Sequence, residues 1–138
     1  MITKPIILLL CLSAIILSIH CDSVNLSSQG MSVDVGKSFT IPVLIAGKYG
    51  VKRALSKQPG DWQFYYFCDI PANKGKCGKW VEQNGNPIKG ANNNVKYNKA
   101  SKQFVVSKAK LEDAGHYEYF PGGENQEFTV IVLPPLGR

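Results

Sequence analysis

The chain of 138 residues is poor in the residue types that carry most catalytic and metal chemistry, with two histidines and four cysteines. His20, Cys11 and Cys21 fall in or beside an N-terminal apolar stretch, which leaves one histidine, His116, and the pair Cys68 and Cys77 for a folded domain. Ser-His-Asp or Cys-His catalysis needs a nucleophile and an orienting group converging on an imidazole, and no Gly-x-Ser-x-Gly turn is present. Two cysteines without a nearby histidine fall short of the four ligands of a structural zinc site. A glycine-rich phosphate-binding fingerprint and a calcium-loop pattern are missing as well. These lacks argue against an enzyme, a metal centre or a cofactor. The length excludes a two-domain enzyme or a large α/β nucleotide-binding scaffold, and a 44% hydrophobic content argues against an intrinsically disordered chain.

Long apolar runs are also scarce. One exists, from Pro5 to Ile19, 15 residues without a charge behind the single positive charge of Lys4. A bilayer-spanning helix wants about 20 residues, so the run reads as a secretory signal over residues 1–21, with an uncleaved anchor as the rival reading. Cleavage after Cys21 or after Ser18 both fit. No later run is long enough to span a bilayer, and the C-terminus, Leu133 to Arg138, has no apolar tail of the lipid-anchor kind. The expected product is soluble and extracellular, with a domain over 22–133 and a short tail over 134–138. Loss of Lys4 reduces the formal charge from +6 to +5, 15 basic against 10 acidic residues. An oxidising compartment makes a disulfide the default state of Cys68 and Cys77. In the same compartment Asn25-Leu26-Ser27 is an N-glycan acceptor sequon.

What is present is a series of short runs rich in β-branched and aromatic residues, separated by turn clusters such as Gln58 to Asp61 and Asn84 to Pro87, with no sustained helical period. Candidate strands are Ser23 to Leu26, Met31 to Asp34, Lys37 to Ile45, Trp62 to Cys68, Lys79 to Gln83, Asn94 to Tyr97, Gln103 to Ser107, Gly115 to Phe120 and Glu127 to Leu133. The pattern predicts an all-β fold, a two-sheet sandwich of about seven to nine strands.

Three segments carry a family resemblance. Gln103 to Tyr119 contains Asp113, Gly115 and Tyr117 in the order Asp-x-Gly-x-Tyr-x-Cys, with Tyr119 at the cysteine position. This closely resembles the E strand, E–F corner and F strand of an immunoglobulin domain. Gly36 to Val43 is similar to the family's turn and B strand, Gly-x-Ser-φ-Thr-φ-x-Cys, with Val43 at the other cysteine position and Phe39 and Ile41 alternating inward. Trp62 to Cys68 resembles an aromatic C strand after a connection longer than usual. The resemblance implies an immunoglobulin-like β-sandwich of variable or intermediate type without its inter-sheet disulfide, and a corner tyrosine whose hydroxyl bonds backbone upstream. It places Cys68 and Cys77 across the C–C′ hairpin and explains the adjacent carboxylates Glu112 and Asp113 by the corner. It also sets His116 at an outward position on the F strand. Pro42, which cannot donate to a ladder, points to an edge or bulged position.

The implied activity is recognition or adhesion through protein contacts. With Tyr117 inward, the outer face of the C–F–G sheet would display Tyr65, Phe67 and Phe120 toward a cell-surface or extracellular protein, itself included. Cover by the long C–C′ loop is the alternative for those rings. A second reading takes the excess charge as functional: Lys52, Arg53 and Lys57 are candidates for a sulfated glycan, an acidic protein or an anionic membrane surface, against the alternative that scattered lysines serve solubility. Nucleic acid is not an expected partner outside the cell.

Overall fold

The computed structural model describes residues 29–44, 46–122 and 127–137. The leader over 1–21, the sequon at Asn25 and the strand expected over Ser23 to Leu26 lie outside them. Within the described residues there are nine strands: β1 (Gln29–Asp34), β2 (Phe39–Pro42), β3 (Gly50–Leu55), β4 (Trp62–Tyr66), β5 (Trp80–Val81), β6 (Val95–Asn98), β7 (Gln103–Val106), β8 (Gly115–Phe120) and β9 (Glu127–Leu133). They form a six-stranded sheet in the order β1-β9-β8-β3-β4-β5 and a three-stranded sheet in the order β2-β7-β6. All neighbours pair antiparallel except β1, which runs parallel to β9. No helix of the described residues is long and apolar enough to cross a membrane.

Alternation along each strand builds the core. From the smaller sheet come Phe39, Ile41, Phe104 and Val106, and from the larger Val51, Tyr65, Trp80, Tyr117, Phe128 and Val130, all buried in one cluster. Rings meet across the two sheets edge to face, Phe39 on Tyr117 at 5.6 Å and Tyr65 on Phe104 at 5.1 Å between centroids. Such pairs add to the gain from burial alone. Pro42 closes β2, which is an edge strand, so its missing N–H costs the ladder little.

The corner forms as its motif implies. The Tyr117 hydroxyl donates to the Asp113 carbonyl at 2.6 Å. A Cβ at Gly115 would run into the Ala54 carbonyl and lie 2.8 Å from Leu55 Cα, so glycine is what lets β8 begin this close to β3. Strand order, corner and two-layer core together make this an immunoglobulin-like sandwich. Val43 and Tyr119, at the positions of the absent cysteines, are both buried in the core. The Tyr119 ring meets Phe128 at 5.8 Å, but its hydroxyl finds no hydrogen-bond partner among the described residues. Burial pushes the pKa of that hydroxyl up, keeping it neutral.

The strand over Gly50–Leu55 corrects the sequence reading. Lys52 and Arg53 disguise it as a basic connection, yet β3 sits between β8 and β4, pairing with both. It therefore occupies the C position of the fold, and the aromatic segment β4 takes the C′ position. The long connection after Val43 is thereby explained. Cys68 and Cys77 are joined, with their Cα atoms 5.0 Å apart, in the link between β4 and β5 rather than across a C–C′ hairpin. Inside that link, buried Asn73 donates from Nδ2 to the carbonyls of Phe67 at 2.8 Å and Tyr49 at 3.0 Å, tying the loop to the sheet end.

Candidate protein-binding face

Cross-strand register determines what the outer face of the six-stranded sheet presents. Tyr119 and Tyr117 of β8 lie opposite Val51 and Arg53 of β3, which lie opposite Tyr65 and Gln63 of β4. Directly opposed residues share a face, so the inward direction of the corner tyrosine passes across two ladders to Gln63 and Tyr65. The alternate residues, Phe120, Glu118 and His116 of β8, Gly50, Lys52 and Ala54 of β3, and Trp62, Phe64 and Tyr66 of β4, form the outer face.

On that face Phe120, Gly50 and Tyr66 make one cross-strand row. The Phe120 ring meets Tyr66 at 5.0 Å and Phe64 at 5.4 Å, both edge to face, and closes over the bare backbone of Gly50. A Cβ there would strike the Tyr65 carbonyl and sit 2.8 Å from the Phe120 ring. The next row is Glu118, Lys52 and Phe64, ending on buried Val81. Lys52 pairs with Glu118, and its Nζ lies 4.3 Å from the centroid of the Trp62 ring. Lys76 covers the Tyr66 ring in the same way, at 4.2 Å. Trp62, Phe64, Tyr66 and Phe120 are all partly exposed. Beyond Glu118 the face turns polar, with His116 held at 3.1 Å from Glu127 Oε2 and 3.2 Å from Thr129 Oγ1. His116 is thus the part-exposed strand residue that its position implies, bonded to its neighbours on the adjacent strand.

The expected site residues are therefore partly relocated. Phe120 lies on the outer face as anticipated. Tyr65 and Phe67 do not: they are 4% and 2% exposed and point between the sheets, Tyr65 against Trp80 and Phe104, Phe67 stacked on Tyr97 at 3.8 Å. Their places are taken by Phe64 and Tyr66. Facing reverses at every residue of a strand, and the relay from the corner to β4 runs through β3, the strand hidden by its charges. Gly50 was missed for the same reason, since its place beneath the Phe120 ring depends on the register of β3 with β8 and β4.

The basic set does not assemble as one surface. Lys52 is on the outer face, whereas Arg53 is 1% exposed inside the sandwich, and Lys57 lies on the loop after β3, 3.6 Å from Glu112. Arg53 is occupied by the core. It donates from Nη1 to Asp113 Oδ1 at 3.0 Å and to the Tyr117 hydroxyl at 3.2 Å, from Nε to Gln63 Oε1 at 2.9 Å, and stacks 3.9 Å over the Trp80 ring. The other Asp113 oxygen accepts from Asn92 Nδ2 and the Lys110 N–H, both at 2.8 Å. A buried cation is sustained by this kind of dense pairing. In that setting the Tyr117 pKa is pushed up to about 12, chiefly by burial, with Arg53 lowering it and Asp113 raising it.

No protein-family model and no curated protein sequence matches the chain. Among solved structures, it is similar to a crystal structure of CD84, with 15% identity, 78% of this chain and 99% of that chain covered, and a TM-score of 0.45. The first Ig-like domain of human CD48 gives 18% identity, 84% and 90% coverage and a TM-score of 0.45. The extracellular portion of mouse CD200RLa gives 16%, 79% and 57%, and 0.46. The fold assignment rests on the strand order and the tyrosine corner described above.

Proposed function

We propose that this protein is a secreted recognition domain that acts by binding, not catalysis, and that it engages an extracellular or cell-surface protein through the outer face of β8, β3 and β4. The carrying observation is the part-exposed cluster of Phe64, Tyr66 and Phe120 around Gly50, flanked by the Lys52–Glu118 pair. Clustered rings provide apolar contact area at low conformational cost, and the adjoining charges select the partner's orientation. The cluster lies on a rigid sheet, with little ordering left to occur on binding.

The test is a screen of the full-chain product, displayed as a multimer, against secreted and cell-surface ectodomains, itself included. Phe64→Ser with Tyr66→Ser is expected to weaken an identified interaction by about 30-fold, the effect of losing a central anchor, while the variant still unfolds cooperatively, at a thermal midpoint lowered by the loss of the ring contacts. Undiminished binding by a folded double variant would sink the assignment to this face.

A further inference from the structure

A cavity of about 360 Å³ opens where β3 ends and β8 begins, at the opposite end of those strands from Gly50 and Phe120. Its base contains Arg53 and Gln63, which are 1% and 7% exposed. Arg53 uses Nε and Nη1 on Gln63, Asp113 and Tyr117, and Gln63 uses only its carbonyl oxygen. Arg53 Nη2 and Gln63 Nε2 have no hydrogen-bond partner among the described residues. Neither is sealed in the protein, because the fully buried side-chain polar atoms lacking a partner there are Trp80 Nε1 and the Tyr119 hydroxyl. Both residues line the cavity, which is therefore the space from which a ligand could reach their unused N–H groups. Every unused polar group of this pair is a donor.

Charge at the cavity has the matching sign. Arg53, Lys57, Lys89 and Lys110 stand against Glu112 and Asp113, four cations to two anions. Asp113 is already paired with Arg53 and accepts from three donors, and Glu112 sits 3.6 Å from Lys57 in an exposed pair that solvent screens. Lys89 and Lys110 are exposed and have no carboxylate partner among the described residues. Leu55 and Ile88 supply apolar wall. The volume lies at the small end of the range for ligand pockets, about 300–1,000 Å³.

We propose that this cavity binds an oxyanion group on a sugar-sized body, the carboxylate or sulfate of an acidic saccharide. Arg53 Nη2 and Gln63 Nε2 receive the anionic oxygens in a partly desolvated recess, where charge-assisted hydrogen bonds are strongest. Lys89 and Lys110 draw the anion to the mouth, and the apolar wall receives a face of the sugar ring. The site is separate from the aromatic face, and either one stands without the other.

The test is an NMR titration of the isotopically labelled full-chain product at low salt with glucuronate, a sulfated heparin-derived disaccharide, inorganic sulfate and, as the uncharged control, glucose. Saturable shifts of the Gln63 side-chain amide and the Arg53 guanidinium signals are expected with glucuronate or the disaccharide and not with glucose. Gln63→Glu keeps the acceptor for Arg53 Nε but replaces the open donor with negative charge, and should weaken binding by about tenfold or more. Lys89→Glu with Lys110→Glu changes two exposed rim side chains, leaves the side-chain bonds among Arg53, Gln63 and Asp113 and the backbone N–H of residue 110 in place, and should also weaken it. Response to inorganic sulfate alone would overturn the saccharide assignment. Unmoved Gln63 and Arg53 signals, or parental affinity in the rim variant, would overturn the site itself.

Discussion

On β4 and the residue that follows it, Tyr65 and Phe67 point between the sheets while Phe64 and Tyr66, one position away in each case, remain on the outer surface. The same division recurs among the charges. Arg53 pairs with Asp113 at 1% and 2% side-chain exposure, whereas Lys52, its neighbour in sequence, pairs with Glu118 at 23% each. Two sets of side chains of almost equal chemistry thus occupy opposite faces of the same three strands. The difference teaches that burial, and not residue type, assigns their work. Inside, rings and ions hold the sandwich together; outside, they stay partly exposed to solvent.

The sharpest break of that comparison is at the ion pairs. Asp113→Ala leaves the Arg53 guanidinium buried without its counter-ion and removes the acceptor used by Asn92 and Lys110. A loss of about 3–5 kcal/mol is expected in denaturant unfolding, against about 1 kcal/mol or less for Glu118→Ala on the outer face. Equal losses at the two sites would contradict the assignment of faces. The aromatic residues should divide the same way. Phe67→Ala empties a position stacked on Tyr97 and should cost about 3–4 kcal/mol, whereas Phe64→Ala, already partly solvated, should cost about 1 kcal/mol. The reverse order would mean that the register is off by one residue.

The last of these effects comes from pH. Tyr117 has its pKa raised to about 12 from an ordinary value of 10, mainly by burial. A group whose pKa is higher in the folded state stabilises the fold fully below its unfolded pKa and loses that contribution as pH rises through the folded value. The window is therefore about pH 10 to 12, and the contribution at stake is about 3 kcal/mol. Tyr65 is also shifted upward by burial and acts in the same direction. Unfolding free energy measured in steps across that window should fall, and Tyr117→Phe should flatten the fall. A stability profile level across the window, or one that rises, would refute the account.

Much of the sandwich is legible without coordinates because its signals are local. Asp113, Gly115 and Tyr117 lie within five residues, and the bond between the tyrosine hydroxyl and the Asp113 carbonyl closes inside that span. Apolar alternation at Phe39 and Ile41, and at Phe104 and Val106, likewise shows which side of each strand is buried. β3 resists the same reading. Of its six residues two are charged and one is glycine, so neither composition nor alternation marks it as a central strand. Arg53 is acceptable in the core only because Asp113, Gln63, Tyr117 and Trp80, distant in sequence, converge on it. With β3 unrecognised, nothing connects the facing of β8 to that of β4, and the candidate rings fall on the wrong side.

By itself the sequence determined the all-β class and an edge or bulged position for Pro42, and its resemblance to an immunoglobulin domain implied the tyrosine corner and set Val43 and Tyr119 at the positions of the absent cysteines. Each of these signals lies within a few neighbouring residues. The tertiary structure alone decided that Gly50–Leu55 is the strand at the centre of the sheet, that Arg53 belongs to the core, and that Phe64 and Tyr66 face outward. Strand facing has a period of two, and its phase is inherited through hydrogen-bonded register from one strand to the next. That phase is a property of the assembled sheet, and no single segment of the chain contains it.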